Sequence, residues 1–168
     1  DGHLALGHGV RCGDVDGDGR IDIVLARVGG PSALYRNLGG WKFENITARS
    51  GVELRGRPSF GATLVDVDGD GDLDLLVTAL GGPNGLFLND GHGKIWKQID
   101  IGDPRMQMGG DWLTVGNFNG DKIPDFSTSS AIFSSPDTIF VCGPKTGEWP
   151  GIGRNFLPVY SYYWATGA

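Results

Sequence analysis

Three short stretches of this 168-residue chain carry oxygen-bearing side chains at matching spacing: Asp14-Val15-Asp16-Gly17-Asp18-Gly19-Arg20-Ile21-Asp22, Asp66-Val67-Asp68-Gly69-Asp70-Gly71-Asp72-Leu73-Asp74, and Asn117-Phe118-Asn119-Gly120-Asp121-Lys122-Ile123-Pro124-Asp125. Each has such a side chain at relative positions 1, 3, 5 and 9. Alternation at the first three points their oxygens toward one centre, glycine at position 4 turns the backbone, and position 7 can add its carbonyl. The ligand set this predicts is Asp14, Asp16, Asp18, the Arg20 carbonyl and Asp22 in the first loop, and Asp66, Asp68, Asp70, Asp72 and Asp74 in the second. In the third it is Asn117, Asn119, Asp121, the Ile123 carbonyl and Asp125. Six or seven hard oxygens suit calcium, whereas magnesium prefers a tight octahedron and keeps its waters.

An EF-hand loop starts alike but needs a bidentate Glu at position 12 and a following helix. Position 12 is Leu25, Val77 or Thr128, and the flanks Ile23-Val24-Leu25 and Leu75-Leu76-Val77 are strand-like. The loops therefore read as β-hairpin calcium loops closed by Asp22, Asp74 and Asp125. The first has four carboxylates, the second five and the third two, so charge count predicts comparable binding in the first two and the weakest in the third. For the third loop, a metal-free Asp-Gly turn is the competing reading.

The loops recur at offsets of 52 and 51 residues, and features outside them keep that register. Gly29-Gly30-Pro31 returns as Gly81-Gly82-Pro83, and Tyr35-Arg36-Asn37 as Phe87-Leu88-Asn89 and more loosely as Phe140-Val141-Cys142. An aromatic follows a Gly-rich turn each time, at Phe43, Trp96 and Trp149. In the second repeat four strands are predicted, at 60–65, 73–80, 86–89 and 95–101, with breaks rich in Gly, Pro, Asn and Asp. Four antiparallel strands recurring every 50 residues or so are the pattern of a propeller blade. The predicted fold is thus all-β: three four-stranded antiparallel blades of a partial or open propeller, at 1–53, 54–105 and 106–160, with an aromatic tail or the start of a further element at 161–168.

Composition agrees. Thirty Gly and nine Pro leave no stretch longer than 11 residues free of both, which excludes long helices, coiled coils and a membrane-spanning apolar helix. A net charge of −6 gives no basic footprint for nucleic acid or an anionic membrane. Of 20 acidic residues 17 are Asp, and 11 of the 20 lie inside the three loops, so the charge is concentrated at the predicted metal sites rather than spread over a solvated surface.

Phe60-Gly61 ahead of the second loop, the loop itself and Thr78-Ala79-Leu80-Gly81-Gly82-Pro83 after it resemble the FG-GAP/VCBS repeat of integrin α-subunit propellers and their bacterial relatives. The run from Tyr35 through Asn37, Gly39 and Phe43 to Thr47 and Gly51 is similar to the bacterial branch associated with an ASPIC/UnbV region. The resemblance covers residues from about 5 to 150 and is weakest in the third repeat, where Ser and Thr at 127–130 replace the usual apolar strand. It implies a calcium-stiffened propeller at an extracellular, cell-surface or periplasmic location. It also implies a protein or glycan ligand on the face opposite the calcium loops.

Three blades do not close a ring, since propellers have about four to eight. The expectation is a piece of a larger propeller, a subunit that completes a ring or fibre by self-assembly, or an incompletely traced chain; a start at Asp1 without Met or leader favours the first or the last. Phe156, Tyr160, Tyr162, Tyr163 and Trp164 read first as an outer strand packing on a neighbour and second as an interface or sugar-stacking platform. His3, His8 and His92 have no metal spacing, Cys12 aligns with Leu64 and Val115 as a buried small apolar residue, and no disulfide to Cys142 is expected. Asn45-Ile46-Thr47 is a formal glycosylation sequon, and Arg49, Arg55 and Arg57 read as solvated loop arginines.

No nucleophile, base or catalytic-metal constellation is visible, so the leading expectation is a non-catalytic, calcium-stabilised binding, adhesion or assembly module. The alternatives are a lectin and a part of a calcium-dependent polysaccharide-degrading enzyme whose catalytic residues lie elsewhere.

Overall fold

The computed structural model describes residues 9–27, 32–52, 59–79, 85–94, 96–100, 112–117, 120, 122–129 and 138–140. Within them the chain is built from three antiparallel sheets. The first runs β1 (Gly9–Gly13), β2 (Asp22–Ala26), β3 (Ala33–Asn37) and β4 (Phe43–Asn45) in chain order. The second repeats this meander with β5 (Ser59–Val65), β6 (Asp74–Ala79), β7 (Gly85–Asn89) and β8 (Trp96–Asp100). The third contains β9 (Trp112–Gly116), β10 (Asp125–Ser129) and β11 (Thr138–Phe140), ordered β11-β10-β9. These are partial propeller blades, and the four strands expected at 60–65, 73–80, 86–89 and 95–101 are β5 to β8 with ends shifted by a residue or two.

The acidic loops are the first connection in each sheet, and the repeat is visible in the register. Gly13 pairs with Asp22, Val65 with Asp74, and Gly116 with Asp125, so the last acidic residue of each loop opens the second strand of its blade.

The core explains why the second repeat is the most apolar. One cluster between the first two sheets contains Val15, Val24, Leu34, Leu75, Val77 and Phe87, and another between the second and third contains Val67, Leu76, Leu86, Leu88 and Phe126. Adjacent residues of β6, Leu75 and Leu76, thus point into different clusters, and every residue of β7 is buried. A strand covered on both faces reads as a continuous apolar run rather than an alternating one. In β2 of the first blade the pattern alternates, with Asp22, Val24 and Ala26 buried.

Cys12 corrects the sequence reading: it is exposed and its thiol is free. A Cβ on the next residue, Gly13, would stand 2.9 Å from Leu64 Cδ1 and 2.8 Å from Leu73 Cδ1, so the second sheet packs directly on that backbone. Strand alternation then turns Cys12 to the opposite face, although its repeat counterpart Leu64 packs against the first cluster. A short helix absent from the sequence reading, α1 (Thr47–Ser50), follows β4 and ends at Gly51, whose φ of 80° is the left-handed cap that glycine adopts without strain. Arg49 lies in this helix and is held by Glu44 through Nη1–Oε1 at 2.6 Å and Nη2–Oε2 at 2.9 Å, so it is a paired residue and not a free loop arginine. Asn45 Oδ1 accepts from Thr47 Oγ1 at 2.7 Å, which folds the sequon back on itself. Arg55, Arg57, His3, His8, Cys142, Trp149 and the aromatic tail from Phe156 to Trp164 lie outside the described residues. Among those described, no helix is long and apolar enough to cross a membrane.

Candidate metal centre

The first acidic residue of each of the first two loops organises its loop before any ligand does. Asp14 accepts from Asp18 N at 3.2 Å and from Gly19 N at 2.7 Å; Asp66 accepts from Gly69 N at 2.7 Å and Gly71 N at 2.9 Å. The fifth position repeats as well: Asp18 Oδ1 accepts from Arg20 N at 2.9 Å, and Asp70 Oδ1 from Asp72 N at 3.1 Å. Short Asp side chains satisfy turn amides in this way where Glu would overreach, which accounts for the near absence of Glu.

The ninth position belongs to the scaffold. Asp22 is buried and takes Val15 N at 2.9 Å and Asn37 N at 2.7 Å; Asp74, 0% exposed, takes Val67 N at 3.0 Å and Asn89 N at 2.9 Å. Each thereby ties its loop to the third strand of its blade. Burial pushes both carboxyls above the usual range, against the pull of those amide bonds, and the neighbouring acids push further: Asp16 and Asp18 for Asp22, Asp68 and Asp70 for Asp74, which reaches about 7. A cation placed among these acids favours their ionised forms.

Two groups result. Asp14, Asp16 and Asp18 bring carboxylate oxygens within 4.8 Å of one another, and so do Asp66, Asp68 and Asp74; each group can hold a metal ion. The ninth-position acid joins the trio in the second loop but not in the first. Asp72 lies against the β7–β8 turn, with its Cγ 2.9 Å from where a Cβ on Gly91 would stand. In the same register, Arg20 Cδ lies 3.7 Å from the corresponding point on Gly39.

Two cations also reach the first loop's acids, Arg20 from within the loop and Arg36 from β3. Arg36 Nε contacts Asp16 Oδ2, Arg36 Nη2 lies 3.2 Å from Asp18 Oδ2, and Arg20 Nη2 contacts Asp18 Oδ2 while its Nε donates to Asn37 O at 2.9 Å. Burial raises the Asp18 carboxyl, but the Arg20 amide and the two guanidiniums outweigh it and hold Asp18 below its ordinary value. Burial likewise lowers Arg36, yet the charge of Asp16 and the bonds to Asp18 and Asp16 leave it raised. The available signal was the repeat itself, because Arg20 and Arg36 stand where the second blade has Asp72 and Leu88.

In the third loop Asn117 Oδ1 accepts from Gly120 N at 2.6 Å, Ile123 packs against the second cluster, and Asp125 is buried at the head of β10. Asn119 and Asp121 lie outside the described residues. Lys122 has φ 83°, at the position where Gly19 has 82° and Gly71 has 95°. A side chain in that region is strained, so Lys122→Gly is expected to raise stability by roughly 0.5 kcal/mol net of the extra freedom glycine gains when unfolded. A chemical-denaturation midpoint unchanged or lowered by this substitution contradicts it.

Neighbouring loops touch across blades. Asn89 is 6% exposed, donates from Nδ2 to Val15 O at 2.7 Å and Leu73 O at 3.1 Å, and accepts at Oδ1 from Asp90 N at 2.9 Å and Gly93 N at 3.3 Å. One amide of the second blade therefore clamps a carbonyl of each of the first two loops. A Cβ on Gly69 of the second loop would stand 3.1 Å from Ile123 of the third.

Comparison with known proteins gives the same register. The FG-GAP-like repeat family matches residues 14–77 and 66–127, each match opening on the first Asp of a loop. Human cartilage acidic protein 1 is 30% identical over 119 residues, which cover 69% of this chain and 18% of that protein. The mouse protein of the same name is 29% identical over the same length, and that of Xenopus tropicalis is 29% identical over 150 residues, covering 89% of this chain and 22% of the relative. The chain thus spans about a fifth of the length of these relatives.

Proposed function

Because the chain belongs to the FG-GAP-like repeat family, we propose that it is a calcium-stabilised, non-catalytic binding or adhesion module that works outside the cell. The observation that carries the reading is the recurrence, in the corresponding loops of two successive blades, of three carboxylate oxygens within 4.8 Å of one another, with positions 1 and 3 common to both. Calcium binds oxygen at about 2.3–2.6 Å, so two ligands on opposite sides of one ion lie close to that separation. A buried Asp16 Oδ1 that accepts no hydrogen bond fits a further electrostatic partner in the first loop.

Asp14, Asp16 and Asp18 would hold an ion in the first loop and Asp66, Asp68 and Asp74 in the second; a third ion at Asn117, Asn119, Asp121 and Asp125 would be the weakest. The ion supplies positive charge that neutralises each loop and locks it to its blade. No chemistry of bond making is asked of it. An extracellular setting is supported by relatives named for cartilage. The family resemblance supports a protein or glycan ligand on the face opposite the loops and completion of a ring or fibre with further blades. The bacterial ASPIC/UnbV-associated branch is supported by the run from Tyr35 to Gly51.

Glycan binding is a second reading with its own observation. Trp41, at the tip of the β3–β4 turn, is 94% exposed and held at φ 60°, with Leu38 and Phe43 exposed beside it in sequence. A displayed aromatic of this kind suits stacking on a sugar ring.

Calorimetric titration of the chelated chain with calcium and, separately, magnesium tests the metal reading. Saturable binding of calcium well ahead of magnesium is expected. Equal responses to both ions, or none, contradict it.

A further inference from the structure

We propose that Arg36 competes with calcium for the first loop, so that this chain's first site is weakened by an internal cation that must leave before the ion can enter. The proposal rests on the calcium reading above and concerns only residues of the first blade. Arg36 lies on β3, faces the first loop, and reaches two of its three clustered carboxylates, Asp16 and Asp18, from one planar group. An ion among Asp14, Asp16 and Asp18 would draw on the same two carboxylates that the guanidinium contacts at Asp16 Oδ2 and Asp18 Oδ2. Two cations on the same carboxylates repel strongly at such separations, so bound arginine and bound calcium are alternatives.

The two arginines differ in how readily they yield. Arg20 is anchored by its Nε on Asn37 O at 2.9 Å and can keep that bond when Nη2 releases Asp18. Among the described residues Arg36 is held by the two acids Asp16 and Asp18, and its side chain is 31% exposed, which gives it a route to solvent. Asp16, by contrast, keeps only 5% of its side chain exposed, so its charge demands a partner in either state. The second blade has Leu88 at the position of Arg36. The carboxylate count therefore overstates the first loop, and comparable affinity in the two loops is not the expectation once Arg36 is considered.

The test is a calcium titration in the Asp66→Asn/Asp68→Asn background, which disables the second loop and leaves the first as the stronger of the two that remain. Arg36→Leu, which copies the second blade, is expected to lower the apparent Kd of the first loop about fivefold, the upper end of the effect of freeing a partly exposed ion pair. It should also lower the melting temperature of the chelated form more than that of the calcium-loaded form. Arg36→Lys, which keeps the charge, should stay within about twofold of the unsubstituted Kd. Arg36→Gln, milder for folding, should move affinity in the same direction as leucine. In the Arg36-containing chain, the Arg36 Nε–H resonance should shift as calcium is added, in step with the heat. Calcium binding that is indifferent to residue 36, or weakened by Arg36→Leu and Arg36→Gln, overturns this proposal alone. Absence of calcium binding in every variant overturns the calcium reading and this proposal with it.

Discussion

Asn89→Ala is expected to lower folding stability by about 3 kcal/mol, the largest effect of any single polar substitution considered in this chain. The side chain is buried and uses all four of its hydrogen-bonding positions: two donations to Val15 O and Leu73 O, and two acceptances from Asp90 N and Gly93 N. Alanine leaves two carbonyls and two amides without those partners, and orphaned buried groups cost more than the bonds themselves contribute. The repeat supplies its own control. Asn37, the counterpart in the first blade, donates to Ile21 O at 2.9 Å and accepts from Gly39 N at 2.8 Å, both within its own sheet and near solvent. Asn37→Ala is therefore expected to cost only about 1 kcal/mol. Denaturant unfolding of the two variants checks the pair, and equal losses would show that the contact between blades contributes nothing beyond the local turn.

Removing calcium is the second large effect. An ion that binds only the folded chain adds about 2.7 kcal/mol at a hundredfold excess over its Kd, so two such sites add about 5 kcal/mol. For a chain of this length each kcal/mol moves the melting temperature by roughly 2–4 °C, giving a drop of about 10–20 °C on chelation. The loss should not be confined to one blade, because the first two loops share Asn89 and the second loop packs on Ile123 of the third. A single cooperative transition that shifts as a whole is expected. A melting curve insensitive to a chelator excludes calcium as a stabiliser.

Much of this architecture could be read from the chain because a repeat turns one local pattern into several. Apolar runs bounded by breaks rich in Gly, Pro, Asn and Asp placed β5 to β8 to within a residue or two, and the alternation at positions 1, 3 and 5 brought Asp14, Asp16 and Asp18 together. The ninth position was legible only in part: Asp74 joins its trio and Asp22 does not, although each accepts the same pair of backbone amides in its blade. What escaped was carried by contacts that spacing does not encode. Asn89 reaches Val15 across 74 residues, and nothing near either residue announces it. Cys12 resembled its aligned partners in size and polarity, but the face it occupies depends on where the second sheet packs on Gly13. Arg36 was visible as the odd member of an otherwise apolar repeat column, though only the fold shows that its guanidinium turns to the acidic loop rather than to solvent.

The central claim is that the first two acidic loops are calcium sites, and counting ions by native mass spectrometry addresses it most directly. The chain, exchanged from chelator into calcium, should carry at least two calcium ions per molecule. Asp14→Asn with Asp16→Asn should remove one ion, and Asp66→Asn with Asp68→Asn a different one. A chain that carries no calcium, or one whose calcium count is unchanged by both pairs of substitutions, contradicts the account.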